Sequence, residues 1–153
     1  MLPKSSSRVA KVIRISNEIA REYDQEYVGT EHLLLAIQRE GTGIGATVLA
    51  ARGIAPQRLR EEVDTLVKKR LEETWVFGRL PGTPHFKNVM ALAIEQCQQL
   101  HAKTVCSEHI LLALLKERGS VACTALANVG VTYEDVRRDV LARTASKQSP
   151  ATP

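Results

Sequence analysis

The sequence predicts an all-α protein: two tandem four-helix repeats packed as a pseudo-two-fold, eight-helix bundle. Three observations predict it. The stretch Val28-Gly-Thr-Glu-His-Leu-Leu-Leu-Ala-Ile37 returns as Val105-Cys-Ser-Glu-His-Ile-Leu-Leu-Ala-Leu114, at an offset of 77 residues that holds without a gap from about Val12/Val89 to Val63/Val140. A fixed-period self-match means one supersecondary unit used twice. Apolar residues recur at helical spacing between Gly, Pro and hydroxyl residues. Aromatic residues make up only 4% of the chain, so the core must come from Leu, Val, Ile and Ala, which favours packed helices.

The elements follow in order. Ser6 or Ser7 can cap a first helix whose buried side is Val9, Val12, Ile13, Ile19 and Tyr23. Thr30 is the expected cap of a second helix, with Glu31 in its first turn facing the positive dipole end. That helix continues through Leu33-Leu34-Leu35-Ala36-Ile37, apolar nearly all round and therefore central. Gly41-Thr42-Gly43 breaks it, a third helix runs from about Ile44 to Ala51, and Gly53 stops it. Pro56 opens a fourth helix, with Leu59, Val63, Leu66 and Val67 as its stripe. In the second copy Thr83-Pro84 opens the first helix and Ser107 is the expected cap of the second. Gly130 ends the third, and Thr132 caps the fourth, whose stripe is Val136, Val140 and Leu141.

These signals place a single domain at 6–143, with repeat one at about 6–70, a connector at 71–82 and repeat two at about 83–143. Within the connector, Trp75 and Phe77 read as anchors of an extended segment. Residues 144–153 have linker composition and read as a flexible tail. Halves of this size bury little surface alone, so they are expected to share one core.

Composition excludes several function classes. Lys and Arg number 21 against 17 acidic residues, but the charges are interspersed, and the densest basic run, Lys68-Lys69-Arg70, meets Glu72-Glu73 at once. No basic stripe with interleaved aromatics exists, so nucleic acid is not an expected partner. No apolar run approaches membrane-spanning length, and a membrane is not expected either. Cys97, Cys106 and Cys123 stand where the first half has Ala20, Gly29 and Ala46, which reads as small packed hydrophobes in a reducing cytoplasm.

Glu31-His32 and Glu108-His109 invite a rival reading, a small metal-dependent enzyme. Adjacent helical residues point about 100° apart, unlike the one-face pair of His-Glu-x-x-His. Gly41-Thr42-Gly43-Ile44-Gly45 lacks the strand before and the Lys-Ser/Thr after that a phosphate loop requires. No nucleophile elbow accompanies any Ser or Cys. The expectation is therefore no catalytic residue, no metal and no cofactor, and histidines that serve structure.

A tandem helical repeat with a Gly-Thr-Glu-His-(Ile/Leu)-Leu-Leu core resembles the Clp amino-terminal domain of ClpC- and ClpA-type unfoldases. The likeness covers about residues 6–143 and includes Arg79-Leu-Pro-Gly-Thr-Pro-His-Phe-Lys87, similar to the ClpC pattern Leu-Pro-x-Thr-Pro-Arg-x-Lys. The resemblance implies a non-catalytic module that recognises protein substrates and adaptors for a Clp AAA+ ring or protease core. It also implies binding of phosphorylated arginine, one site per repeat, with Glu31 and Glu108 receiving the guanidinium and Ser6 and Thr83 as the helix caps beside them. A carboxylate accepts a planar guanidinium fork bidentately, and a capped helix N-terminus supplies N–H groups to a phosphate. The chain departs from the family pattern at Cys106-Ser107, at His85 in place of Arg, and at Ser6-Ser7-Arg8 in place of Thr-Glu-Arg. Both an excised unfoldase domain and a free-standing accessory protein fit these features.

Overall fold

The computed structural model describes residues 4–25, 27–73 and 83–147. Each half contributes four helices: α1 (Ser7–Glu22), α2 (Thr30–Glu40), α3 (Ile44–Ala51) and α4 (Pro56–Glu73), then α5 (Pro84–Gln99), α6 (Ser107–Lys116), α7 (Val121–Asn128) and α8 (Tyr133–Lys147). Two short strands, β1 (Lys4–Ser5) and β2 (Thr104–Val105), form a parallel pair that the sequence did not announce. At two residues each they are too short to show the alternation that marks a strand.

Local chemistry accounts for the boundaries. Ser6 Oγ accepts the Val9 amide at 3.2 Å and Thr83 Oγ1 accepts the Phe86 amide at 3.1 Å, so both leading helices are capped by their own side chains. Both end alike: Asp24 and His101 take left-handed backbone (φ 55° and 57°), and the next amides, Gln25 and Ala102, bond back to Ala20 and Cys97 at 2.9 and 3.0 Å. That is the Schellman closure with a non-glycine residue at its tight position. His101 is thus an exposed turn residue. Thr132 Oγ1 accepts the Asp135 amide at 3.2 Å at the head of α8.

Several expectations are corrected. Thr30 and Ser107 are the first residues of their helices, and the N-caps are Gly29 and Cys106. Helix α4 runs to Glu73 and α8 to Lys147, so 71–73 and 144–147 continue helices placed in connector and tail. Leu141 is the one large apolar side chain left exposed among the described residues, because it points away from the buried face made by Val136 and Val140. Trp75, Phe77 and residues 148–153 lie outside the described residues.

Helices α2 and α6 occupy the centre. Leu33, Leu34 and Ala36 and, opposite, Ile110 through Leu114 are fully buried, as all-round apolar helices must be. The halves interlock around them: α3 packs on α6 and α8, and α7 packs on α2 and α4. Arg52 closes one of these seams, its Nε donating to Asp139 at 2.6 Å. At the matching seam Asn128 donates to Glu62 at 2.6 Å.

Where the halves meet, helix N-termini are buried and their amides need partners. The Thr30 hydroxyl accepts the Ala122 amide of α7 at 3.3 Å, and the Ser107 hydroxyl accepts the Gly45 amide of α3 at 3.2 Å. Each half thus satisfies the other. The motif histidines complete the job: His32 Nδ1 accepts the Gly29 amide at 2.9 Å and His109 Nδ1 accepts the Cys106 amide at 2.8 Å. This is the reach-back arm of a capping box, made by imidazole instead of carboxamide or carboxylate. It requires Nδ1 to be unprotonated, and the rings stay neutral because burial depresses both from an ordinary 6.5 to about 4. His32 Nε2 faces no hydrogen-bond acceptor among the described residues, and the rings of Tyr23 and Tyr27 lie 5.6 and 6.2 Å from its own.

Two outcomes follow from this packing. Since the unfolded chain takes up protons on these histidines near pH 6.5 and the native chain only near 4, their stabilising contribution is complete above 6.5 and is lost as pH falls through that window. Denaturant titrations should show a loss of about 2 kcal/mol per histidine between about pH 7 and about pH 5; a stability that stays flat there would show that the rings are not buried neutral. Gly43→Ala should destabilise by about 1–2 kcal/mol, because a Cβ there would stand 2.3 Å from Ser107 Oγ and push it off the Gly45 amide. A wild-type melting temperature for that variant would mean the inter-half bond contributes little.

Candidate functional site

The two leading helices start beside the motif of the opposite half. The Ser6 amide donates to the Val105 carbonyl at 2.9 Å, continuing the β1–β2 pairing, and the Thr83 amide donates to the Val28 carbonyl at 3.1 Å. Ser6 therefore sits beside the Val105–Glu108 turn and Thr83 beside the Val28–Glu31 turn. The sequence reading assigned one site to each repeat; in space the leading helix of each half starts against the motif turn of the other, Ser6 at Val105 and Thr83 at Val28. Such a crossing leaves no mark in a periodic pattern.

The third helix of the same half joins in. Through the Ser107–Gly45 bond, α1, α3 and α6 bring their N-termini to one place, and through Thr30–Ala122, α5, α7 and α2 do the same. Partial positive charge from three helix ends accumulates there, and a carboxylate at each is the natural counter-charge. Glu31 and Glu108 are 6% and 5% exposed, so only a sliver of each residue meets solvent. Glu31 folds back over its own N-cap: a Cβ at Gly29 would stand 2.1 Å from its Oε1. Cys106 has that Cβ and nearly the same backbone (φ −121° against −107°), so Glu108 cannot copy the pose.

A second pair of acids, Glu40 and Glu117, coincides across the 77-residue offset. Arg8 Nε donates to Thr42 Oγ1 at 2.9 Å and lies 3.8 Å from Glu40. Glu40 also accepts the Thr42 hydroxyl and the amides of Thr42 and Gly43, at 3.1 and 3.2 Å for the amides. Burial raises the Glu40 pKa, but these hydrogen bonds and the Arg8 charge outweigh it and hold the carboxyl below its ordinary value. In the other half His85 Nδ1 meets Glu117 Oε2 at 2.7 Å and Asn88 donates to the same oxygen at 2.9 Å. Glu117 is likewise pushed up by burial and, more strongly, down by His85 and Asn88. The identity of Glu40 and Glu117 across the offset was the available signal.

The other reactive types serve packing. Both motif histidines spend Nδ1 on backbone, and among the described residues no group of three or more His, Cys, Asp or Glu is arranged to hold a metal. The cysteines are unpaired; Cys97 is buried, whereas Cys106 and Cys123 are half-buried and less enclosed than their small counterparts implied. Burial first, then Cys106 and Glu108 nearby, raise the Cys97 thiol, which lowers its thiolate content. Among the described residues no helix is long and apolar enough to cross a membrane.

Known proteins share this design. Residues 4–115 and 81–152 both match the family model described as the Clp repeat (R) N-terminal domain. The chloroplastic chaperone ClpC2 of Arabidopsis thaliana is 37% identical over 141 residues, which is 92% of this chain and 15% of that protein. ClpC/MecB of Bacillus subtilis (strain 168), a negative regulator of genetic competence, is 34% identical over the same share of this chain and 17% of its own length. The chain thus spans about a sixth of these relatives. Among solved structures, the N-terminal domain of Arabidopsis ClpD superposes with a TM-score of 0.72 at 20% identity, covering 92% of this chain and 94% of that one. The N-terminal domain of the E. coli ClpV1 ATPase gives 0.68 at 16% identity, covering 98% and 90%. At such identities the structures speak for the fold, and the sequence matches speak for descent. With its motif duplicated in register and its halves interlocked through the helices that carry that motif, the chain belongs to the Clp repeat N-terminal domain family.

Proposed function

We propose that this chain is a non-catalytic recognition module of a Clp-type, ATP-dependent unfoldase or protease system. It docks protein substrates or adaptors at the two composite grooves and hands them to an AAA+ ring or protease core. Its ligand in each groove is an arginine side chain, in particular a phosphorylated one. The single observation that carries this reading is the crossing of the halves: a side-chain-capped helix start of one half lies against the motif turn of the other, Ser6 at Val105 and Thr83 at Val28. The helix ends supply N–H donors and positive potential for a phosphate, and the carboxylate supplies a planar acceptor for the guanidinium. Three unpaired cysteines fit a reducing cytoplasmic setting.

The glutamates also serve the fold, so the test must separate ligand loss from unfolding. A fluorescent peptide bearing one phosphoarginine should bind the intact chain, and Glu31→Ala/Glu108→Ala should weaken it at least about tenfold, the scale of a lost charge-assisted bidentate contact. Far-UV circular dichroism and melting of the same variant establish that it is folded. An unchanged dissociation constant in a folded double variant would remove the arginine reading.

A further inference from the structure

One seam between the halves is packed shut, and its counterpart is open. At the packed seam Val129 is buried and Leu66 lies against the core, while Asn128 donates to Glu62 at 2.6 Å. Across the 77-residue offset, which α4 and α8 carry on past Val63 and Val140, those two apolar positions are Arg52 and Arg143. A guanidinium keeps its charge and cannot be packed as a Val or Leu is. A cleft of about 440 Å³ lies there instead, lined by Ala51, Arg52, Asp139, Ala142 and Arg143. That volume is within the range of pockets that hold small ligands, roughly 300–1,000 Å³.

The two arginines differ in their commitments. Arg52 is the C-cap of α3, where the negative end of the helix dipole favours a cation. Its Nε donates to Asp139 Oδ2 at 2.6 Å and its Nη2 to the Asp135 carbonyl at 3.3 Å, and its Nη1 lies 3.6 Å from Asp135 Oδ2. Arg52 is thereby held and neutralised. Arg138 shares Asp135, at 3.7 Å. Arg143 follows Asp139 by about one helical turn, yet among the described residues no carboxylate pairs with it. Arg52, Arg138 and Arg143 against Asp135 and Asp139 leave one positive charge, and it falls to the half-buried Arg143. Asp139, held through one oxygen, keeps its side chain 29% exposed.

We propose that this cleft is a docking site for a glutamate side chain of a partner protein, with Arg143 as the residue that reads its carboxylate. A guanidinium presents a planar fork that a carboxylate accepts at two points, and such bonds are stronger than neutral ones. The exposed methyl groups of Ala51 and Ala142 receive the methylenes of the glutamate, and Asp139 accepts a backbone N–H of the docked segment. The cleft lies at the end of α3 and in the middle of α8, away from the helix starts proposed for arginine, so each site stands or falls without the other.

The test is an NMR titration of the isotope-labelled chain with the capped peptide acetyl-Ala-Glu-Ala-amide, run beside acetyl-Ala-Gln-Ala-amide and sodium acetate. The glutamate peptide should shift the amides of Ala51, Arg52, Asp139, Ala142 and Arg143 saturably. Arg143→Gln should weaken it about tenfold, the scale of one hydrogen bond to a charged group. Arg143 holds no ion pair, so that variant keeps the fold, and its amide spectrum verifies this. No saturable shift at the cleft would overturn the proposal. So would equal affinity for the glutamine peptide or for acetate, or an affinity that Arg143→Gln leaves unchanged.

Discussion

Everything in this molecule answers to one constraint, the supply of hydrogen-bond partners to helix N-termini buried where the two halves meet. A helix start leaves its first amides without intrahelical acceptors, and a buried amide without an acceptor costs roughly 1–3 kcal/mol. The Thr30 and Ser107 hydroxyls, one from each half, answer the Ala122 and Gly45 amides of the other. The His32 and His109 rings answer the Gly29 and Cys106 amides of their own helices. The recurring (Thr/Ser)-Glu-His triplet is thus a structural device first: a hydroxyl for the other half, a carboxylate for the gathered dipoles and an imidazole for the N-cap. Ligand recognition, where it occurs, is laid over groups the fold already uses.

The duplicated halves solve that constraint with different parts, and the differences are local and physical. Gly43 lacks a side chain because Ser107 Oγ occupies the place its Cβ would take, so Glu40 reaches over to accept its amide. Its counterpart Ser120 has room and caps α7 directly, accepting the Cys123 amide at 3.1 Å. Tyr23 ties α1 to α4 through Asp64, under the guanidinium of Arg60 at 4.7 Å from its ring. In the second half Leu100 stands there, and α8 is held instead by Tyr133, whose hydroxyl donates to Gln96 at 2.8 Å. A pseudo-symmetric scaffold has therefore drifted into two unlike halves without losing the contacts between them.

Much of this was legible in the residues. Apolar spacing and hydroxyl, Pro and Gly punctuation place the helices, and the 77-residue offset places the halves in correspondence. The motif helices read as central because they are apolar on every side, and they are. What pattern could not give is which half's helix starts meet. Spacing reports the neighbours of a residue along its own helix, whereas Ser6 beside Val105 is a contact between segments about a hundred residues apart. The same limit explains Thr30 and Ser107. A hydroxyl before an apolar run reads as a cap for its own helix, yet the structure sends it across to the other half. Glu31 and Glu108 read as accessible for the same reason, whereas the structure leaves them only 6% and 5% exposed.

The electrostatics of the chain bear on the recognition role proposed for it. An acid or base that works at neutral pH needs a pKa near the operating pH, and enzymes shift groups towards it. Here the displaced groups move away from it. Burial carries His32 and His109 down to about 4 and Cys97 and Cys123 up, and burial with the Asp64 hydrogen bond raises the Tyr23 phenol. Arg39 and Arg60 hold Glu22 down, while Glu40 and Glu117 are held down by the donors around them in spite of burial. Each of these groups is locked in one protonation state near pH 7. Fixed charge of known sign at a preorganised helix end is what distinguishes one charged side chain from another. Among the described residues, His32 and His109 spend their ring Nδ1 atoms on holding helix starts in place.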